Sequence, residues 1–258
     1  MAKENCVLSV FAAKLNTKLC ELFRILNIKE KNLARFAVKK TQIKKHNEMK
    51  LKICGMKYPE NILEVGALLP DYMGFIFWEK SARYFNGTIP ELVKTIKKVG
   101  VFVNQSQEEI LEKVTNYNLQ AVQLHGNESV EFLSELKKQL PKKIEIIKVF
   151  SADENFDFEV IKPFEMVSDF FLFDTKGKLP GGNGTTFDWT ILKKYKSDKP
   201  FFLSGGIGIN ELKAIEEISK TNLPIYAVDI NSKFEIEPGL KNRNLFSNFK
   251  RKFDVANF

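Results

Sequence analysis

Two residue types capable of proton transfer stand at the ends of strand-like segments that are far apart in this chain. Cys54 ends the segment KIC, and Asp174 ends the segment FLFD. A thiolate can accept a proton, because the free pKa of cysteine, about 8.5, needs only a modest decrease near cations or helix N-termini. A carboxylic acid can donate a proton if burial raises its pKa. The two side chains therefore predict an acid and base pair, although each alone is more often a small buried residue or a loop cap.

Three loops late in the chain are rich in glycine or in small polar residues. They are the segments PGGNGTTFDW, LSGGIG and DINS. Backbone N–H groups without side-chain obstruction, aimed by helix N-termini, form a positive pocket suited to a phosphate dianion. Glycine also simply permits tight turns, so a single loop of this kind would be weak evidence. The predicted phosphate-binding residues are Gly182, Gly184, Gly205, Gly206, Asn231 and Ser232.

These residues need a fold that brings distant strand ends together. From Leu51 onward the sequence alternates strand and helix patterns. The predicted strands are 51–54, 72–78, 99–103, 121–124, 144–150, 169–174, 200–204 and 225–230. The predicted helices are 59–69, 89–98, 106–117, 128–140, a short or broken segment at 156–167, 187–195, 209–219 and 242–253.

Strands that alternate with helices pair in parallel through right-handed crossovers, and eight such units close a barrel. We therefore predict an α/β protein with a single (β/α)8 TIM barrel over 49–258. The carboxyl ends of all its strands would meet at one mouth, with phosphate sites typically after strands seven and eight. A doubly wound open sheet is the alternative, but it would favour a glycine fingerprint after the first strand, where only Gly55 occurs.

The first 48 residues differ in charge from the rest. They carry 11 Lys/Arg against 4 Asp/Glu, whereas residues 49–258 carry 29 against 28. We expect residues 1–48 to be a basic extension, helical or disordered, and Met49 to be an alternative translation start. A transit peptide or a nucleic-acid-binding arm would explain the charge too, but lysine dominates over arginine and serine is scarce. The barrel itself is not expected to bind nucleic acid.

Composition excludes several other classes of protein. The cysteines Cys6, Cys20 and Cys54 form no CxxC pair, and with only His46 and His125 available we expect neither disulfides nor a metal site. No apolar stretch approaches the roughly 20 residues that span a bilayer, and the N-terminus lacks the pattern of a secretory signal. We expect a cytoplasmic protein without membrane partners.

The order of motifs from Met49 onward resembles the phosphoribosylanthranilate isomerases. The motifs are MKLKICGM, GFIFWEKSARYF, VGVFVN, VQLHGNES, FLFDT, PGGNGTTFDW, LSGGIG and AVDINSKFEIEPGLKN. Residues 1–48 have no counterpart in this pattern. The loop GGNGTTFDW departs from it, since relatives commonly have Thr in place of Asn183 and often Lys in place of Thr185.

The resemblance implies a (β/α)8 enzyme without cofactor. Its reaction would be the Amadori rearrangement of a phosphoribosylanthranilate to the corresponding carboxyphenylamino deoxyribulose phosphate, in tryptophan biosynthesis. It implies Cys54 as general base and Asp174 as general acid. Arg83 would bind the anthranilate carboxylate through its planar fork. Gln123, His125 and Asp229 match further family positions, and we expect His125 to be a neutral wall residue and Asp229 to shape the site.

Two other functions stay open at this stage. The isomerase of histidine biosynthesis has related chemistry, but it has an aspartate where Cys54 stands and would need a second phosphate site. A binding protein with a basic tail would leave the residues at the strand ends unexplained. The expected partner is a small phosphorylated substrate, with the chain acting as a monomer or homodimer.

Overall fold

The computed structural model describes residues 48–175 and 189–256. The predicted extension over 1–48, apart from Glu48, lies outside the described residues. So do Gly182 and Gly184, together with the first two residues of the helix predicted at 187–195.

Eight parallel strands close into a barrel in chain order. The last strand pairs with the first, with Lys52 opposite Asp229. This closure confirms the predicted (β/α)8 barrel and excludes the open doubly wound sheet, which has two free edges. The strands are β1 (Lys50–Ile53), β2 (Tyr72–Ile76), β3 (Lys97–Phe102), β4 (Ala121–Leu124), β5 (Glu145–Ala152), β6 (Phe170–Thr175), β7 (Phe201–Leu203) and β8 (Ile225–Ile230).

The crossover segments carry α-helices and shorter 3₁₀ helices. Pro59 occupies the first turn of the first helix, and the Ser106 hydroxyl caps the second in a reciprocal capping box with Glu109. The α-helices are α1 (Pro59–Gly66), α2 (Gln107–Asn116), α3 (Val130–Gln139), α4 (Leu212–Ser219) and α5 (Arg243–Ala256). The 3₁₀ helices are Phe158–Phe164, Trp189–Lys194, Ile209–Glu211 and Ser232–Phe234.

The prediction of a helix at 89–98 is wrong. The chain there is irregular until β3 begins at Lys97. Pro90 disfavours helical geometry at the residue before it, and pairing with β2 draws Lys97 and Lys98 into the sheet. Ile89 and Leu92 still pack on the core, so the apolar spacing that indicated a helix reflects burial without helical backbone.

Two other segments bear on the site. The predicted broken helix at 156–167 is the 3₁₀ helix containing Pro163. Sequence patterns missed a short antiparallel hairpin after β8, formed by β9 (Glu235–Glu237) and β10 (Leu240–Lys241). Gly239 in its turn has a positive φ of 91°, a conformation natural to glycine.

Alternation along the strands separates two apolar regions. Leu51 and Ile53 belong to the outer core between barrel and helices, so Lys52 and Cys54 face the barrel interior. The interior is packed with its own apolar cluster, which closes it below the mouth. Its buried members are Tyr72, Val99, Ala121, Ile147, Val149, Leu172, Phe202 and Ala227.

Phe202 should be a principal stabilising residue of this interior. Its ring is fully buried and lies 5.3 Å from Tyr72 and 5.5 Å from Phe170, measured between centroids. We predict that Phe202→Ala lowers the free energy of unfolding by about 3–5 kcal/mol in urea titrations, because it removes apolar burial and leaves a cavity. Met166→Ala, at a residue 84% exposed, is the control and should cost less than about 0.5 kcal/mol. Equal midpoints for the two variants would contradict this account of the interior.

Candidate active site

Cys54 and Asp174 both lie at the carboxyl-end mouth of the barrel. Cys54 directly follows β1, and Asp174 is the next-to-last residue of β6. In the closed sheet β7 and β8 stand between these two strands, so the side chains approach the mouth from separate positions on its wall. Both residues are buried. The arrangement keeps a thiol and a carboxyl group apart while both border the same opening.

The Cys54 thiol is surrounded by charge. Lys52, two residues earlier on β1, faces the same side of the strand and donates a hydrogen bond from Nζ to Asp229 Oδ1 at 2.9 Å. Burial raises the pKa of the Cys54 thiol, while Lys52 and Lys241 lower it and Asp229 raises it further. The net direction is upward. The two lysines therefore offset part of the cost of forming a thiolate in this buried position.

Gly74 on β2 leaves the space that the sulfur occupies. A Cβ at position 74 would lie 2.7 Å from Cys54 Sγ and 3.2 Å from Cys54 Cα. Real Cβ atoms do not approach so closely. The absence of a side chain at Gly74 thus sets how deep the thiol sits in the mouth.

Within residues 48–175 and 189–256, two polar side chains lie close to the Asp174 carboxyl group. Ser204, directly after β7, donates a hydrogen bond from Oγ to Asp174 Oδ1 at 3.4 Å. His125 Nε2 lies 3.7 Å from Asp174 Oδ2, which is too far for a hydrogen bond. Burial and the nearby ammonium groups of Lys148 and Lys52 lower the pKa of His125 to about 4. The imidazole is therefore neutral at pH 7.

Two buried polar atoms at β4 have no partner in the described part of the chain. They are Gln123 Oε1 and His125 Nε2. Gln123 shares the inward-facing parity of β4 with Ala121 and His125, since Val122 and Leu124 belong to the outer core. Buried polar groups are nearly always hydrogen-bonded, so such atoms indicate that a ligand group belongs at this position.

Arg83 is engaged by a carboxylate that sequence analysis did not single out. Glu235 of β9 accepts from Arg83 Nε at 2.9 Å and from Nη2 at 2.7 Å. The same carboxylate accepts from Lys241 Nζ at 2.7 Å. Burial disfavours the ionised Glu235, but the hydrogen bonds from Arg83 and Lys241 prevail and lower its pKa. Burial also lowers the pKa of Lys241 to about 8, although Glu235 and Cys54 oppose this shift.

The hairpin could have been detected from one sequence signal. The segment EIEPGLK places Pro-Gly between two short runs, which is typical of a turn. Its function in the site could not, because Glu235 and Lys241 read as ordinary surface charges. Their burial follows from the position of the hairpin, which contacts Asn231 after β8, Arg83 after β2 and Asn61 of α1.

The predicted phosphate-binding residues that the structure describes lie side by side. Gly205 and Gly206 follow Ser204 at the end of β7 and have positive φ values of 95° and 67°, which glycine adopts without strain. Asn231 and Ser232 directly follow β8, the neighbour of β7. Asn231 Oδ1 also accepts from Lys241 Nζ at 2.7 Å. Gly182 and Gly184 are outside the described residues, so the third loop of the predicted pocket stays a prediction.

A second buried ion pair lies near β4 and β5. Lys148 Nζ donates to Glu128 Oε2 at 2.7 Å and to Gly126 O at 2.7 Å. It faces a cavity of about 590 Å3 that extends to His125 and is walled by Phe150 and Phe156. Burial lowers the pKa of Lys148 against the opposing charge of Glu128. This pair resembles Lys52 and Asp229 in chemistry but lies away from Cys54.

Within residues 48–175 and 189–256, no group of three His, Cys, Asp or Glu side chains could hold a metal ion. No helix of that part of the chain is long and apolar enough to cross a bilayer.

Comparison with known proteins identifies the family. The family model for N-(5'-phosphoribosyl)anthranilate (PRA) isomerase matches residues 51–252. The isomerase of that name from Parabacteroides distasonis is 44% identical over 208 residues, which cover 78% of this chain and 91% of the relative. The corresponding protein of Phocaeicola vulgatus is 40% identical over 193 residues, covering 75% of this chain and 92% of the relative.

Solved structures agree with the sequence relatives. Phosphoribosyl anthranilate isomerase from Thermus thermophilus has a TM-score of 0.68 at 26% identity, covering 80% of this chain and 99% of that one. A second isomerase structure contains reduced 1-(o-carboxyphenylamino)-1-deoxyribulose 5-phosphate and has a TM-score of 0.65 at 28% identity, with the same coverage.

The low pKa of His125 can be tested by titration of the protein in solution. We expect the His125 ring resonances to titrate near pH 4, because burial and two lysines disfavour the imidazolium. The unfolded chain binds this proton near pH 6.5. The contribution of His125 to the free energy of unfolding is therefore complete above about pH 6.5 and declines as pH falls from there towards 4. NMR titration measures this, with His125→Asn identifying the resonance, and a midpoint near 6.5 would contradict it.

Proposed function

We propose roles for the site residues from the premise that this chain belongs to the N-(5'-phosphoribosyl)anthranilate isomerase family. It is an isomerase of tryptophan biosynthesis that converts N-(5-phospho-D-ribosyl)anthranilate into 1-(2-carboxyphenylamino)-1-deoxy-D-ribulose 5-phosphate. The observation that supports these roles is the placement of a buried thiol and a buried carboxyl group on separate strands of one barrel mouth.

Asp174 acts as the general acid. Its carboxyl group protonates the furanose ring oxygen, the bond from this oxygen to C1 breaks, and the nitrogen lone pair forms the Schiff base. The acid must carry its proton when substrate binds. The Ser204 hydroxyl orients the carboxyl group through Oδ1, and neutral His125 beside Oδ2 does not supply the positive charge that would favour ionisation.

Cys54 acts as the general base. Its thiolate removes the proton from C2 of the Schiff base, and the electron pair moves into a C1–C2 double bond to give an enolamine. Tautomerisation then transfers a proton to C1 and leaves the C2 ketone. A carbon-bound proton needs a base that is separated from the acid, because two adjacent carboxyl groups would couple their ionisation. A sulfur on β1 and a carboxyl group on β6 meet that requirement.

Arg83 binds the anthranilate carboxylate of the substrate. Glu235 occupies the side of the guanidinium that carries Nε, and this contact fixes the plane of the group. The end of the guanidinium that carries both Nη atoms then suits a carboxylate in a bidentate pair.

The remaining site residues bind the substrate or shape the site around it. Gln123 Oε1 and His125 Nε2 accept hydrogen bonds from substrate hydroxyl groups, which would satisfy their buried atoms. Asp229 acts through Lys52 rather than on the substrate directly. The backbone N–H groups of Gly205, Gly206, Asn231 and Ser232, with those of Gly182 and Gly184, bind the phosphate. The relative that contains a reduced phosphorylated product analogue supports a phosphate site in this family.

The expected assembly is a monomer or a homodimer, since a relative from Thermotoga maritima is described as dimeric. A catalytic thiol must stay reduced, which favours the cytoplasm.

Removing either proton-transfer group should abolish most turnover. We predict that Cys54→Ala and Asp174→Asn each lower kcat by about 10²–10⁴-fold in an assay of the rearrangement, because general acid and base catalysis contribute that much. Thermal unfolding should show that both variants remain folded.

A matched control lies directly before the strand that carries the acid. Asp169→Asn changes a carboxylate just before β6, at the opposite end of the barrel, where Oδ2 accepts from Ile146 N at 2.8 Å. It should leave kcat within about threefold, a change below 1.4 kcal/mol. Full activity in Cys54→Ala or Asp174→Asn would refute the assigned roles.

Arg83 should act on binding more than on chemistry. We predict that Arg83→Lys raises KM about tenfold with a smaller change in kcat, because a lysine keeps the charge and loses the planar fork. Arg251→Lys, at an exposed position of α5, is the control and should leave KM unchanged. A fall in kcat alone would instead place Arg83 in the reaction step.

A further inference from the structure

Lys52 is an unusual occupant of a barrel interior. Its side chain is completely buried, and the interior positions around it are mostly apolar. Its ammonium donates a hydrogen bond to Asp229 Oδ1 at 2.9 Å, and its positive charge acts on the Cys54 thiol. Cys54 is the next inward-facing residue after Lys52, since Leu51 and Ile53 belong to the outer core, so the ion pair lies next to the thiol along the barrel interior.

Stability alone does not explain this pair. Replacing a buried ion pair with apolar residues of similar volume is often neutral or stabilising, because desolvation of both charges offsets their attraction. Other interior positions, among them Val99, Ala121 and Ala227, are buried and apolar. A charged pair at the mouth is therefore better explained by what it does to the thiol above it.

We propose that Lys52 is a positioning residue whose ammonium is the counter-ion of the Cys54 thiolate, and that Asp229 holds this ammonium against the sulfur. The inference rests on the proposed role of Cys54 as general base. When the thiol ionises, its proton leaves to water and the S–H bond electrons stay on sulfur. Lys52 keeps all its protons and its hydrogen bond to Asp229, and its positive charge then faces the negative sulfur. When sulfur takes the C2 proton, the Lys52 and Asp229 pair is again neutral on its own.

The charges that act on Cys54 come from three elements. They are Lys52 on β1, Asp229 on β8 and Lys241 on β10. Lys241 is a second favourable cation, but its hydrogen bonds go to Glu235 and Asn231. Burial raises the pKa of the thiol, and Lys52 is the largest influence that lowers it. Lys52 is therefore the group whose loss should matter most.

A merely structural ion pair and a counter-ion make different predictions. If the pair only supports packing, removing either partner should disturb the thiol in the same direction. If Lys52 stabilises the thiolate, removing Lys52 must disfavour ionisation, whereas removing Asp229 must favour it because a negative charge near sulfur disappears. The sign of the two effects separates the hypotheses.

The experiment is a pH titration of the Cys54 thiolate by its ultraviolet absorbance in the full chain without substrate, with the signal of Cys54→Ser subtracted. We expect Lys52→Met to shift the titration to higher pH, so that the thiolate fraction at a fixed pH below the midpoint falls about tenfold or more. Asp229→Asn should shift it to lower pH. Lys148→Met, which breaks the other buried lysine pair away from Cys54, should leave it in place.

Loss of folding in Lys52→Met does not prevent the test, because Lys52→Met/Asp229→Asn contains no unpaired charge. That double variant must titrate at higher pH than Asp229→Asn alone. Shifts of both single variants in one direction, or coincidence of the double variant with Asp229→Asn, would overturn the proposal. The titration needs no substrate, so it is independent of turnover: an active Cys54→Ser enzyme would refute the base role of Cys54 and leave the measured coupling to Lys52 standing.

Discussion

The pairing of β8 with β1 is the constraint on which the site depends. It closes the barrel and sets Lys52 opposite Asp229 in the register of the last strand pair. Because both side chains face inward, the closure creates the buried ion pair directly beneath the Cys54 thiol. A shift of one residue in this register would turn one of the two charges into the outer apolar core, where it would have no partner. The strand pairing that closes the barrel thus also places the charges that act on the thiol.

The hairpin after β8 extends this arrangement to the substrate side. One carboxylate, Glu235, accepts hydrogen bonds from Arg83 and from Lys241. Arg83 belongs to the segment after β2, and Lys241 also contacts Asn231 at the end of β8. The proposed carboxylate-binding cation and the second cation near Cys54 are therefore held by the same group. Such a shared carboxylate limits how independently the two positions can move.

Acid and base are treated differently by their surroundings. Cys54 lies among cations, in space that Gly74 leaves open, whereas the neighbours of Asp174 among the described residues include a hydroxyl group and a neutral imidazole. Cations favour a thiolate, and the lack of a charged histidine avoids stabilising a carboxylate. Lys52 and Lys241 thus oppose the rise in the pKa of the Cys54 thiol that burial causes, whereas neutral His125 adds no positive charge beside Asp174. Because β7 and β8 separate the strands of Cys54 and Asp174, each group has its own electrostatic surroundings.

The sequence by itself determined the alternation of strands and helices, the parallel barrel, the family, and the strand ends that carry Cys54, Asp174, Arg83 and Asn231. These features follow from local periodicity and ordered motifs, which need no knowledge of distant contacts. The irregular segment that replaces the helix predicted at 89–98 depended on pairing of β3 with β2, so periodicity alone was misleading there. Only the tertiary structure decided that Lys52 pairs with Asp229 beside the thiol and that Glu235 joins Arg83 to Lys241. Those contacts join residues up to 177 positions apart, and partners of a buried charge depend on which strands the closed barrel makes neighbours.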